Sequence, residues 1–265
     1  MSATQHTKVV KTWLENLESA LKSNDIEAAT QLFGDDSYWR DLVSLTWNIK
    51  TSEGHDEIAA MLKATLGNAQ PSNFHIEGEA NEADGVIDAW FTFETATGRG
   101  KGLVRLIDGK AWTMLTSLQE LKGFEEAKGA NRPKGVEHGS DKGRLTYAEL
   151  RDKETAELGY KTQPYCVIIG GGQGGIALGA RLRRLNVPTI IVEKNERHGD
   201  SWRKLYNSLC LHDPVWYDHL PYLPCPDHWP VFSPKDKIGD WLESYTKLME
   251  LNYWSSTVAK SASYD

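Results

Sequence analysis

Residues 165–193, YCVIIGGGQGGIALGARLRRLNVPTIIVE, constrain this chain more than any other stretch. The apolar run 167–169 leads directly into glycines at 170, 172 and 175, an apolar-periodic helix follows, and a β-branched run at 189–192 closes on Glu193. This is the strand, turn, helix and strand of a dinucleotide-binding unit. Gly170 permits a tight turn, Gly172 lets backbone approach a pyrophosphate, and Gly175 lets the helix lie close to the strand. The phosphates then face a helix N-terminus, whose free N–H groups and dipole favour an anion. Glu193 follows at roughly the 20-residue spacing from which an acid reaches a ribose hydroxyl. An acid there disfavours a 2′-phosphate, so the dinucleotide expected is FAD or NAD.

The chain has 265 residues, enough for two ordinary domains. A net charge of −7 with 40% hydrophobic residues argues for a globular chain with neither a nucleic-acid nor a membrane partner. Cys166, Cys210 and Cys225 have no metal-ligand spacing, and the first ten residues form no signal-peptide core. No metal site and a cytoplasmic, reduced compartment are expected. No apolar run approaches the roughly 20 residues of a membrane span.

Val9, Val10, Trp13, Leu14, Leu17 and Leu21 recur at helical spacing, and Asn24-Asp25 offers an N-cap for a second short helix. Ile58, Met61, Leu62 and Leu66 mark a third helix, expected to end at Gly67. Strands are predicted at 74–79, 86–95, 102–107 and 111–121, with Asp108-Gly109 as a hairpin turn. Helices ahead of an antiparallel meander describe an α+β domain. Together with residues 37–58, SYWRDLVSLTWNIKTSEGHDEI, this order resembles the cone-shaped fold of the nuclear transport factor and SnoaL-like families. The resemblance implies an enclosed pocket, with Tyr38, Trp39, Asp41, Trp47 and His55 as lining candidates. The tryptophans serve equally as core and the acid and histidine as structural groups, so no catalysis is assigned to this domain.

Residues 123–163 are rich in charge and glycine and read as a linker, with a short charged helix at 146–158 carrying Glu149, Lys153 and Glu157 at i,i+4 spacing. In the glycine-turn helix, Arg181, Arg183 and Arg184 are expected as surface charges near the C-terminal end.

Beyond Glu193 the chain carries Gly-Asp-x-Trp-Arg at 199–203, Leu-His-Asp-Pro at 211–214, and LPYLPCPDHWPVFSPKDKIGDWLE. With the glycine turn and Glu193, these residues resemble the flavin-containing monooxygenases, in the fungal and bacterial branch with an N-terminal SnoaL-like domain. The resemblance covers roughly residues 30–265. It implies a SnoaL-like α+β domain at 1–122, a charged linker at 123–163, and the N-terminal part of an α/β Rossmann-type FAD-binding domain at 164–265.

By that resemblance Gly170, Gly172 and Gly175 hold the FAD pyrophosphate and Glu193 the ribose, while Gly199 and Trp202 contact the flavin half. His212 falls where family members place a polar group near the reactive carbon of the flavin, which makes it the catalytic candidate. Gly199 as a simple turn, Trp202 as core and His212 as a turn cap stay open beside these roles. Leu205 departs from the family, whose members tend to be basic there. The Trp216–Trp229 crowd, His219, His228, Cys210 and Cys225 read as loop packing and structure.

The implied reaction is NADPH-dependent oxygenation of a small organic substrate through a C4a-peroxyflavin. Family members take NADP(H) on a second nucleotide domain, and no second glycine fingerprint occurs in this sequence. The chain is therefore expected to be an incomplete form, inactive alone, with residues 258–265 the start of an interrupted strand. The alternatives are a non-catalytic FAD-binding or oligomerisation module, with a homodimer expected by analogy to SnoaL-like domains, and an NAD-dependent dehydrogenase.

Overall fold

The computed structural model describes residues 3–135, 139 and 142–264, and the chain divides into two compact units at Glu125/Glu126. In the first unit, helix α1 (Ala3–Lys22) buries Val10, Trp13, Leu14, Leu17 and Leu21 along one stripe. Helix α2 (Ile26–Gln31) is capped by the Asp25 carboxylate, which accepts from the Ala28 N–H at 2.9 Å. Then come β1 (Phe33–Leu42), β2 (Ile49–Glu53), α3 (Gly54–Ala69), β3 (Ser72–Ala83), β4 (Val86–Glu94), β5 (Gly98–Ile107) and β6 (Lys110–Leu121). The sheet order is β2-β1-β6-β5-β4-β3. β3 to β6 form the expected meander, and both Asp108 (φ 50) and Gly109 (φ 77) take the left-handed conformations of its tight turn.

Strands β1 and β2 were not expected. After Phe33, β1 carries Gly34, Asp35 and Asp36, poor strand formers, and is held by antiparallel pairing to β2 and by parallel pairing to β6 across some 75 residues. Helix α3 runs through Gly67 to Ala69 and stops at Gln70 in the left-handed region.

Aromatic rings fill the space under this sheet. Phe33 stacks on Trp39 at 5.5 Å, and Phe74, Phe91 and Phe93 cluster with centroids 5.6 to 6.0 Å apart. Gly100 and Gly102 make room for two of them: a Cβ at either would lie 2.2 Å from a phenylalanine Cζ. Two of the pocket-lining candidates, Trp39 and Asp41, are accordingly structural. Trp39 is core, and its indole N–H donates to Thr116 Oγ1 at 3.0 Å. Asp41 is fully buried and accepts from the N–H groups of Leu45 and Thr46 and the hydroxyls of Ser44, Thr46 and Thr116. His55 pairs with the Phe33 carbonyl, Tyr38 with Asp36, and Trp47 is exposed.

The second unit contains α4 (Tyr147–Glu157), β7 (Cys166–Ile169), α5 (Gln173–Arg184), β8 (Thr189–Val192), α6 (Asp200–Arg203), α7 (Lys235–Leu248) and β9 (Tyr253–Trp254). β7, β8 and β9 form a parallel sheet in that order. One side is covered by Ile176 and Ala180 of α5 with Leu211, Val215, Ile238, Leu242 and Tyr245, and the other by Leu158 and Trp254.

The stretch read as a linker is in part a piece of this unit, although residues 136–138, 140 and 141 within it lie outside those described. Leu158 is core, and α4 begins with a capping box of Thr146 and Glu149. The charges of α4 meet partners far along the chain: Tyr147 Oη donates to Glu250, Arg151 to the Glu250 carbonyl, and Glu154 accepts from Arg183 and Asn252. The α5 arginines are likewise engaged, Arg181 with Glu126 and Tyr222, and Arg183 with Glu154 and Glu250. The last strand is Tyr253–Trp254, and residues 258–264 form none.

Candidate functional site

The glycine turn joins β7 to α5, and each glycine has its own reason. Gly170 has φ 104 with open space where a side chain would project, and its N–H donates to the Val192 carbonyl at 2.9 Å. A Cβ on Gly175 would lie 1.9 Å from the Gly170 carbonyl oxygen, so α5 approaches the turn at a distance only glycine allows. Gly172 is the N-cap of α5, in extended backbone, and a Cβ there would meet nothing nearer than Ser201 Oγ at 3.7 Å. The front of the turn is thus bare backbone. The first N–H groups of a helix have no intrahelical acceptor, and those of α5 open onto this front.

Glu193 follows β8, beside the turn. It is 7% exposed, and its carboxylate accepts from the Gly171 N–H at 2.7 Å through one oxygen. The other oxygen accepts from the Asn195 N–H at 2.8 Å and side-chain amide at 2.7 Å. Burial pushes this carboxyl upward, but the Asn195 and Gly171 hydrogen bonds outweigh it and hold the group below its usual range. An ionised acid therefore stands fixed against the glycine turn.

Gly199 has φ 83, and a Cβ there would sit 2.1 Å from the Gly239 carbonyl oxygen, so it both turns the chain and seats it on α7. Trp202 on α6 donates its indole N–H to Gln173 Oε1, at the first residue of α5, at 2.9 Å. Arg203 anchors the same segment through the His198 carbonyl, Asp240 and Glu243. His212 is exposed in a loop tied down by Leu211 N–H to the Ser233 carbonyl and Val215 N–H to the Val231 carbonyl. The structure thus brings Gly170, Gly172, Gly175, Glu193 and Trp202 around the start of α5. Gly199 precedes α6, and His212 makes no hydrogen bond to this cluster among the described residues.

Two contributors escaped sequence reasoning. Tyr253 donates to the Gly171 carbonyl at 3.1 Å and fills the space behind it, where a Cβ on Gly171 would lie 2.0 Å from the phenol oxygen. Its ring contacts His198 at 4.0 Å, and burial raises the phenol while lowering the imidazole. Asn195 is the second, and its only sequence signal is a position two residues past the strand-ending acid.

The residues present fit the adenosine and pyrophosphate half of FAD. The turn is a cradle that side chains would fill, an ionised acid lies at its edge, and Ser201 Oγ beside Gly172 is a buried hydroxyl with no partner among the described residues. A cleft of ≈ 540 Å³ lies at the other end of α5, between Glu154, Leu158, Arg183 and Pro188, away from the glycine turn. Among the described residues no group of three or more His, Cys, Asp or Glu is placed to hold a metal, and no helix is long and apolar enough to cross a membrane.

No protein-family model matches the chain. An uncharacterized CzcO-like oxidoreductase of Geobacillus kaustophilus is 39% identical over 85 residues, covering 32% of this chain and 24% of that protein. A probable indole-3-pyruvate monooxygenase, YUCCA9 of Arabidopsis thaliana, is 35% identical over 100 residues, covering 37% of this chain and 24% of that protein. Among solved structures, a flavin-containing monooxygenase from Stenotrophomonas maltophilia matches with 27% identity and a TM-score of 0.32, over 33% of this chain and 27% of that one. The chain spans about a quarter of the length of the curated relatives it matches. Over that span its homologues are flavin-dependent monooxygenases and oxidoreductases.

Proposed function

We propose that the second unit binds the ADP half of FAD and that the chain belongs to an FAD-dependent, NADPH-using monooxygenase acting on a small organic substrate. The observation that carries this is the 2.7 Å hydrogen bond from the Gly171 N–H to the Glu193 carboxylate, which makes the phosphate turn and the ribose acid one cradle. The similarity to monooxygenases gives the reaction class.

In this reading the α5 N-terminus and the backbone of 170–175 bind the pyrophosphate, and Glu193 accepts from the ribose hydroxyls while repelling a 2′-phosphate. Trp202 steadies the loop that leads to the flavin side, and His212 is the candidate polar donor there. FAD, when bound there, would supply the redox chemistry of a monooxygenase, with NADPH as reductant and dioxygen as the source of the transferred oxygen atom. The first unit serves as a SnoaL-like scaffold, its buried acid Asp41 being spent on the fold.

Gly172→Leu tests the site, because a Cβ there makes only an ordinary contact with Ser201, at 3.7 Å, and enters the turn without a clash. The unmodified chain should retain flavin absorbance after gel filtration with FAD, and the variant should lose it at an unchanged melting temperature. Retention by both proteins, or by neither, overturns the assignment.

A further inference from the structure

Asn195 uses both ends of its amide at once. Its N–H₂ group and its backbone N–H hold one oxygen of Glu193 at 2.7 and 2.8 Å, leaving the other for the Gly171 N–H. Its side-chain oxygen accepts from Lys204 Nζ at 3.0 Å, just past α6, and its carbonyl accepts from the Ser256 N–H at 2.9 Å, past β9. One residue thus joins the end of β8, α6 and the segment after β9 around a single carboxylate. A side chain that only donates cannot hold Lys204, and one that only accepts cannot hold Glu193.

We propose that Asn195 is a positioning residue for dinucleotide recognition: it orients the Glu193 carboxylate so that the ribose acid and the phosphate turn act together, and it thereby sets the preference for a free 2′-hydroxyl. This rests on the dinucleotide reading above. An aspartate at 195 would set a second carboxylate oxygen at hydrogen-bond distance from Glu193. The two acids would share a proton at low pH and repel once both ionise. Glu193 would then swing away from Gly171.

The other charged and titratable groups around the pair are Lys194 beside it, Asp200 on α6 with Lys204 just past it, and Tyr253 on β9 with His198 against its ring. All are common to the unmodified chain and the variant, so the ratio of their affinities isolates the 193–195 pair.

The test is calorimetric titration of the full chain, Asn195→Asp and Asn195→Ala with ADP and with adenosine 2′,5′-bisphosphate from pH 5 to 8. For Asn195→Asp, ADP affinity relative to the unmodified chain should fall about tenfold or more as pH rises, which corresponds to a shift of one pKa unit. For Asn195→Ala the preference for ADP over the bisphosphate should shrink at every pH. Both readouts are ratios and tolerate partial loss of folded protein. Should the unmodified chain bind ADP while the Asn195→Asp ratio stays flat with pH and the Asn195→Ala preference is unchanged, the positioning role is overturned alone. Should the unmodified chain bind no ADP, the dinucleotide reading fails and takes this inference with it.

Discussion

Gly175 lies so close to Gly170 that a methyl group on it would sit 1.9 Å from the Gly170 carbonyl oxygen. Gly175→Ala must therefore push α5 off the end of β7, at a cost of about 1–3 kcal/mol or more, and should abolish flavin retention. Gly174 is the control, because nothing lies within 4 Å of its Cβ position. Gly174→Ala should melt at the same or a higher temperature, since alanine gains up to about 1 kcal/mol over glycine in a helix. Equal destabilisation in both variants would show that close approach is not the cause.

Asp41 accepts from two backbone N–H groups and three hydroxyls inside the first unit. Asp41→Ala strands those buried donors and should destabilise the first unit by about 2–4 kcal/mol, at about 1–3 kcal/mol for each unsatisfied group with partial relaxation. Flavin binding by the second unit should be unchanged while both units are folded. Chemical denaturation paired with flavin titration checks both halves, and a loss of flavin binding without loss of stability would return Asp41 to the list of functional candidates.

Gly100→Ala should destabilise the same unit, because its Cβ would sit 2.2 Å from Cζ of Phe93, a ring with almost no freedom to move. Overpacking of this kind costs about 1–3 kcal/mol. Phe93→Leu in the same chain removes the ring and should make the double variant less unstable than the sum of the two single changes. Strict additivity in urea unfolding would show that the ring and the glycine are not coupled.

The Glu193 carboxyl is held below the 4.5 of an exposed glutamate, so its stabilising effect is fully present above that pH and is lost as pH falls through the folded value. Glu193→Gln should cost about 1–3 kcal/mol at pH 7, where the ionised acid holds three hydrogen bonds. The gap between the variant and the unmodified chain should narrow as pH drops below 4.5. A gap that is constant from pH 7 to pH 3 would mean that the charge of Glu193 contributes nothing.

Local rules made the dinucleotide unit legible. A positive φ at Gly170 and a crowded Gly175 impose glycine within a few residues of the turn, Gly172 leaves the N-cap of α5 bare, and the apolar runs on either side carry the strand and helix periods. The meander was legible for the same reason, since Asp108-Gly109 sets its turn and alternation sets its faces. β1 was not, because its acids and glycine give no strand signal and its partner β6 lies far along the chain. Helix α4 was only half legible: its capping box is local, whereas the groups that hold it, Glu250 and Asn252, lie about a hundred residues on.

The sequence by itself determined that a glycine turn, a helix and a strand-ending acid stand in the order a dinucleotide requires, since backbone sterics and the strand and helix periods are local properties. Tertiary structure alone decided that Tyr253 closes the back of that turn from 82 residues away, that Asn195 and Lys204 fix the acid, and that Asp41, Trp39 and the rings of Phe33, Phe74, Phe91 and Phe93 are buried in the first unit. Those outcomes depend on which distant groups burial brings to hydrogen-bond or van der Waals distance, and chain spacing carries no record of that.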